Sequence, residues 1–295
     1  MVENPVFDKL VIIGVGLIGG SVALAARRAG LARQIVGAGR SGEALEEALR
    51  LGVIDAAASP ADAVKDADLV LLAIPVGKMP EVMADIAPHL PSHAIVTDAG
   101  STKGDVVAAA RAHLAARLSR FVPAHPIAGA EKSGVQAART ELFDHKNVVL
   151  TPLAENDADA VARTEAFWRG CGANVSSMTT ETHDQIFAAV SHLPHVLAFA
   201  LVEEIARRPN ADQLFGFAAG GFRDFSRIAG SSPEMWRDIC LANREAMLHE
   251  LSAYIDRLAD IRHLIDANDG QQLAAVFEHA RNARTAWAEK FTPNK

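Results

Sequence analysis

The sequence predicts a doubly wound parallel α/β domain followed by an all-α domain. Three observations carry this. The apolar run Leu10–Ile13 leads into Gly14-Val15-Gly16-Leu17-Ile18-Gly19 and then into an Ala-rich segment of helical spacing. Strand-like and helical runs alternate from there to about residue 179, the pattern of a parallel sheet with crossover helices. Beyond Thr180 no strand-like run occurs. The expected domains are therefore 1–179, which binds a dinucleotide, and 180–295, which is helical and carries substrate and dimer contacts.

Size and composition bound the function. A chain of 295 residues can bury one or two sizeable cores. A balance of 49% hydrophobic and 22% charged residues is that of a globular protein. The net charge of −7 argues against nucleic acid or an anionic membrane as partner. It also means that any anionic ligand must be held by local Arg, Lys or helix N-termini. Cys171 and Cys240 lie far apart with no CxxC, which fits a reducing cytoplasm and neither a disulfide scaffold nor a zinc site. The first residues lack a signal peptide's basic start and apolar core, and no apolar run is expected to reach the ~20 residues of a membrane span.

Strand, glycine turn and helix in that order are the dinucleotide fingerprint. Gly14 permits the tight turn, Gly16 lets backbone approach a pyrophosphate, and Gly19 lets the helix pack on the strand. Free N–H groups near Leu17 and Ile18 then face the anion. Gln34–Gly39 reads as the second strand. An NAD-binding unit places a carboxylate near its end, but this chain has Gly39-Arg40-Ser41. Arg40 and Ser41 suit a 2′-phosphate, so NADP is expected, with NAD as the alternative.

Glu43–Leu51 is a helix ended by Gly52. Asp68–Ile74 is a buried strand stopped by Pro75, which falls at a strand's C-terminal end, where open α/β sheets bind ligands. Met79–Leu90 is a helix interrupted near Pro88. Ala94–Asp98 is a strand, Asp105–Leu118 a helix, and Phe121-Val122 a short strand before His125. Asn147–Thr151, Ala158–Gly170 and Asn174–Met178 continue as strand, helix and strand.

The second half reads as Asp184–Arg207, kinked by Pro194, and one or two short helices around Gly220-Gly221. A long helix follows from Ser232, with Ser as N-cap and Pro at its first position, to about Ala267. Asn268-Asp269-Gly270 ends it, and Gln271–Lys290 is the final helix. No flexible linker separates the halves.

Ser101 and His125 both follow strands and so reach the same sheet edge. His is suited to proton chemistry near neutral pH, and a nearby Ser hydroxyl can fix its tautomer. A His before Pro also serves as a plain turn residue, so both readings stand. GSTK lacks the order of a phosphate loop, and no GxSxG elbow surrounds Ser101. His192 and His195 share a helix face without an HExxH carboxylate, so no metal is expected, and a kinked helix aiming a His into a cleft is the preferred reading. Arg223 and Arg227 at i, i+4 either bind carboxylates or form a solvated face. Trp236 and Trp287 are read as packing.

In order and spacing, GVGLIGGS, TDAGSTKG, HPIAGAEKSG, SHLPH and GGFRDFSRIA, followed by MWRDI, resemble the prephenate/arogenate dehydrogenase family of tyrosine biosynthesis. The resemblance covers nearly the whole chain. It implies a nucleotide-binding domain, a helical dimer-forming domain and a site between them. It further implies that His125 takes the proton of the substrate's ring hydroxyl, and that Ser101 bonds His125 and helps place substrate and nicotinamide. By the same resemblance Arg227 binds a substrate carboxylate, while His195 and Glu131 complete the polar site. The implied reaction is oxidative decarboxylation of prephenate or arogenate. No mutase segment is expected before the glycine turn and no regulatory domain after Lys295. Two alternatives share the domain plan: a β-hydroxyacid or imine reductase, and a non-catalytic NADP-sensing dimer.

Overall fold

The computed structural model describes residues 7–130 and 132–291. Its main sheet has six parallel strands: β1 (Phe7–Ile13), β2 (Ala32–Ala38), β3 (Ala56–Ala58), β4 (Leu69–Leu72), β5 (Ile95–Asp98) and β6 (Phe121–Val122). Their spatial order is β3-β2-β1-β4-β5-β6. Crossovers run through α1 (Leu17–Arg28), α2 (Gly42–Arg50), α3 (Pro60–Ala63), α4 (Met79–Ile86) and α5 (Gly104–His113). Leu10 of β1 faces Ile35 of β2 on one side and Leu69 of β4 on the other.

Strand periodicity explains why Leu10–Ile13 of β1 and Leu69–Leu72 of β4 are apolar throughout. Leu10 and Ile12 enter one core with Leu69, Leu71 and helix residues Val22 and Ala26, whereas Val11 and Ile13 enter the opposite core with Val70, Leu72, Met83 and Val106. Side chains alternate faces along a strand, and both faces are covered, so no position is left for a polar residue. The glycine turn is held by space as much as by conformation. Gly14 has φ +97, and a Cβ there would lie 2.3 Å from the Ala73 carbonyl oxygen. At Gly19 a Cβ would lie 2.1 Å from the Gly14 carbonyl oxygen, so only glycine lets α1 sit this close to β1.

The last strands differ from the sequence expectation. β7 (Ala124–Pro126), β8 (Asn147–Leu150) and β9 (Asn174–Ser177) do not extend the parallel sheet. They form a second sheet, with β7 antiparallel to β8 and β8 parallel to β9. Pro123 separates β6 from β7. It has no N–H to continue a ladder, and its carbonyl accepts from Thr151 N at 3.0 Å, in register with the second sheet. β3 was not foreseen. Its three alanines carry too little β-branched or aromatic character to mark a strand.

After α6 (Ala158–Gly170) the chain is helical. α7 (Thr180–Phe187) is capped by the Thr179 hydroxyl, which accepts from Thr182 N at 3.2 Å. A π-helical turn, Ala188–His192, leads into α8 (Leu193–Ala206), with Pro194 in the first turn. Proline removes an N–H that a continuous α-helix would direct to the carbonyl four residues back, and the widened turn absorbs that loss where a simple kink was expected. The path Thr180–Ala206 is long and apolar enough to cross a bilayer by length and composition alone, which corrects the expectation that no run reaches that size. α9 (Ala211–Gly216), α10 (Gly220–Ser226) and α11 (Pro233–Ala242) follow. The expected single helix from Ser232 to Ala267 is instead two, because Asn243 leaves the helical region (φ −99, ψ 38) and α12 (Arg244–Asp266) starts after it. Asn243 spends its side-chain amide on the Asp184 carbonyl, at 2.8 Å.

The chain divides into two compact units, the first ending at Ala246 and the second starting at Met247. Within the second, the remainder of α12 and α13 (Gly270–Phe291) are joined through Asn268, which adopts φ 51, the left-handed C-terminal conformation.

Candidate active site

The strand order reverses between β1 and β4, and that switch point opens a crevice at the strands' C-terminal ends. A cleft of about 900 Å³ lies there. Gly16, Leu17 and Ile18 line it from the glycine turn, Pro75 from the end of β4, and Ser101 from the end of β5. Gly129, Ala130, Lys132 and Ser133 add a wall beyond β7. Glu131, which the resemblance makes a site residue, lies outside the described residues.

The start of α1 fits an anionic dinucleotide. Its cap residue Gly16 has no side chain to occupy the free N–H groups, no acidic residue stands in the first turn, and a Cβ at Gly16 would meet nothing within 4 Å. β2 ends at Ala38. Arg40 is exposed there, and Ser41 caps α2 by accepting from Ala44 N at 3.3 Å. A Cβ at Gly39 would also meet nothing within 4 Å.

On the helical side, His195 stacks on Trp236, with ring centroids 3.7 Å apart and planes 20° apart. Its Nδ1 donates to the Ser191 carbonyl at 2.9 Å, which leaves Nε2 without the proton in the neutral ring. Arg227 lines the same cleft and, after burial, helps push the His195 pKa down. Trp236 is thus a wall of the cleft as well as packing, which its place in the sequence did not reveal. Arg223 is exposed and is not among the lining residues.

His125 stands apart from the cleft-lining set. It is half-buried, and its ring packs on His183 and Phe187 with centroids 5.1 and 4.9 Å away. Its Nδ1 lies 2.9 Å from His183 Nε2. Among the described residues no hydrogen bond joins it to Ser101. His183 Nδ1 in turn lies 2.8 Å from Asp184 Oδ1. Asp184 also accepts the Lys103 and Gly104 backbone N–H groups, at 2.9 and 2.8 Å, at the start of α5. Burial raises the Asp184 carboxyl, but these bonds outweigh it and the net shift is downward. Burial, then the charge of Lys103, holds the His125 pKa well below its ordinary value of 6.5. Burial also lowers His183, against the pull of Asp184.

Behind this chain Asp98 and Lys103 pair with each other, fully buried. Lys103 Nζ donates to the Ala124 carbonyl at 2.7 Å, and Asp98 Oδ1 accepts from Ala124 N at 3.1 Å, one residue before His125. None of His183, Asp184, Asp98 and Lys103 stood out as a site residue in the sequence. The adjacent His-Asp pair after the capping Thr179 was the available signal.

A reversed parallel sheet, an open anion-accepting helix start and a neutral histidine at the sheet edge define a nicotinamide-dependent dehydrogenase. The chain belongs to the prephenate dehydrogenase family. The family's nucleotide-binding domain profile matches residues 22–177 and its dimerization domain profile residues 179–279. Prephenate dehydrogenase of Bacillus subtilis is 39% identical over 95% of this chain and 76% of its own length. Cyclohexadienyl dehydrogenase of Zymomonas mobilis is 36% identical over 95% and 96%. The crystal structure of Aquifex aeolicus prephenate dehydrogenase in complex with hydroxyphenyl propionate and NAD+ superimposes with a TM-score of 0.89. It is 37% identical, and the match covers 95% of this chain and 98% of that one.

The histidine environment has a measurable consequence. His192 is buried, and that burial pushes its pKa down to about 4. In an unfolded chain it titrates near 6.5. Between these values the unfolded state binds more protons, so this contribution to stability is present above pH 6.5 and is lost as pH falls toward 4. Histidine-detected NMR titration is expected to place the His192 midpoint near 4 and that of His125 well below 6.5. Midpoints near the free value for both would contradict the described packing.

Proposed function

We propose that this chain catalyses the oxidative decarboxylation of prephenate or arogenate, as a cytoplasmic homodimer that prefers NADP. The observation that carries the reading is the cleft itself. It joins an anion-accepting helix start to His195 and Arg227, in a chain whose relative was crystallised with a hydroxyphenyl acid and NAD+. Neither a reductase nor a sensor needs a histidine held neutral as His125 is.

When bound, the nicotinamide accepts hydride from the ring carbon that bears the hydroxyl. The chain's own residues do the rest. His125, kept neutral by burial and Lys103, takes the hydroxyl proton as hydride departs. Ser101 on the cleft wall helps orient the ring. Arg227 pairs with a substrate carboxylate and His195 offers its ring nitrogen, while Glu131 completes the polar set. The ring carboxylate leaves as carbon dioxide and the ring becomes aromatic. That gain supplies the driving force, so orientation and one base are what the protein must contribute.

The test is reduced-nicotinamide absorbance with prephenate and with arogenate. His125→Asn is expected to lower kcat about 10²–10⁴-fold. Cofactor affinity should stay nearly unchanged, because the pyrophosphate contacts belong to the glycine turn. Arg227→Ala in the same assay should chiefly raise KM. Near-normal kcat in His125→Asn would move the base to another residue, with His195 next to examine.

Cofactor preference rests on Arg40 and Ser41 at the end of β2, where Gly39 leaves room for an added phosphate. Arg40→Ala should weaken NADP binding by the ~1.5–3 kcal/mol of a charge-assisted bond and leave NAD binding little changed. Equal losses for both cofactors would refute the preference.

The dimer is supported by apolar surface that a single chain leaves uncovered. Ile255, Leu258 and Ile265 lie along α12, and Phe277 and Trp287 on α13, each about half exposed or more. No residue of α13 is buried. Large apolar side chains left exposed in this number point to an association site. Light scattering at micromolar concentration should return twice the chain mass, and a monomer there would sink the proposal.

A further inference from the structure

Asp184, His183 and His125 form one hydrogen-bonded line, and each donor in it is dictated by the next group. The Asp184 carboxyl lies below its ordinary value, so it is ionised near neutral pH and can only accept. His183 Nδ1, 2.8 Å away, must therefore carry a proton. His183 is fully buried and its pKa is lowered, so it is neutral, and its Nε2 is a bare acceptor. His125 Nδ1, 2.9 Å from that Nε2, must then be the donor. A neutral His125 with its proton on Nδ1 has its lone pair on Nε2, an atom that makes no hydrogen bond among the described residues.

We infer that His183 and Asp184 are the positioning pair of this site: they fix His125 in the tautomer whose Nε2 accepts the substrate proton, and His183 shares the charge that results. The inference rests on His125 being the base of the proposed reaction. The substrate O–H bond breaks and its proton goes to His125 Nε2. The Nδ1 proton shifts along the existing bond toward His183 Nε2, while the Nδ1 proton of His183 stays on His183, hydrogen-bonded to Asp184. The net result is one positive charge moved toward a carboxylate that α5 already holds through two backbone N–H groups. The surroundings favour that direction. Lys103 from the start of α5, His183 from α7 and His192 from the π-helical turn all oppose a cation on His125. Burial and Lys103 oppose a cation on His183 as well, but Asp184 and Asp98 favour one there, whereas no carboxylate is among the groups acting on His125.

Nitrogen-15 NMR of the full chain with labelled histidine tests this without turnover. At pH 8 wild-type His125 is expected to be protonated on Nδ1 and bare on Nε2. His183→Phe keeps an aromatic ring beside Phe187 but offers no acceptor. It should lose that tautomer preference and lower kcat about 10–100-fold, less than loss of the base itself. Cofactor affinity, read by titration, should stay within about twofold, which a general packing defect would not leave intact. His183→Gln retains an acceptor for His125 Nδ1 and should recover the tautomer. Wild-type His125 protonated on Nε2 overturns the inference, and so does His183→Phe with both tautomer and kcat unchanged. Should the substituted chains fail to fold, the wild-type spectrum still decides. A wild-type chain inert toward both substrates would defeat the functional reading and leave the tautomer measurement to judge the pair.

Discussion

A salt bridge with no access to water, Asp98 to Lys103, is the contact on which the arrangement of the site depends. Burying two charges is costly unless every remaining donor and acceptor is used. Here Asp98 also accepts from Gly100 N at 2.8 Å and from Ala124 N, while Lys103 donates to the Ala124 carbonyl. Both backbone groups of Ala124 are thereby gripped at the end of β5. The chain is thus held at the point where it leaves one sheet for the other, with His125 next in line. An apolar pair of equal volume could fill the space but could not hold a backbone N–H and a carbonyl at once.

The same lysine links geometry to chemistry. Its side chain fixes the strand, its backbone N–H binds Asp184, and its charge disfavours protonation of His125. A base beside a buried cation is kept in the form that can accept a proton. The fold therefore uses one residue to join β5, β7 and α7. The turn AGSTKG resembles a phosphate loop in composition, but its lysine points inward, to Asp98 and the Ala124 carbonyl.

Much of the fold was legible because it follows from local pattern. Four-residue apolar runs, a glycine turn and helical spacing each report short-range physics, and β1, β4, β5 and α1 fall where those signals lie. Partner choice is not local. Nothing in NVVL or NVSS states which strand they will face or in which direction, and the second sheet was missed for that reason. Within the site, residues facing open space were easier to find than residues facing each other. Gly16, Pro75, Ser101, His195 and Arg227 all line the cleft. The deeper His183, Asp184, Asp98 and Lys103 acquire meaning only through contacts between segments as many as 81 residues apart. Trp236 was underestimated because packing and wall are the same position seen from two sides.

The π-helical turn at Ala188–His192 also sets helix phase. Such a turn holds one residue more than an α-turn, and one residue is about 100° of rotation. It is by this offset that His192 meets Asn243 at 3.3 Å while His195, three residues on, stacks against Trp236. Wound as a regular α-helix with no residue removed, the same sequence would turn every downstream side chain by about 100°, more than a quarter circle. The irregularity therefore works as a gear between two faces of one rod, and a homologue that lost it would need a different residue to stand where His195 does.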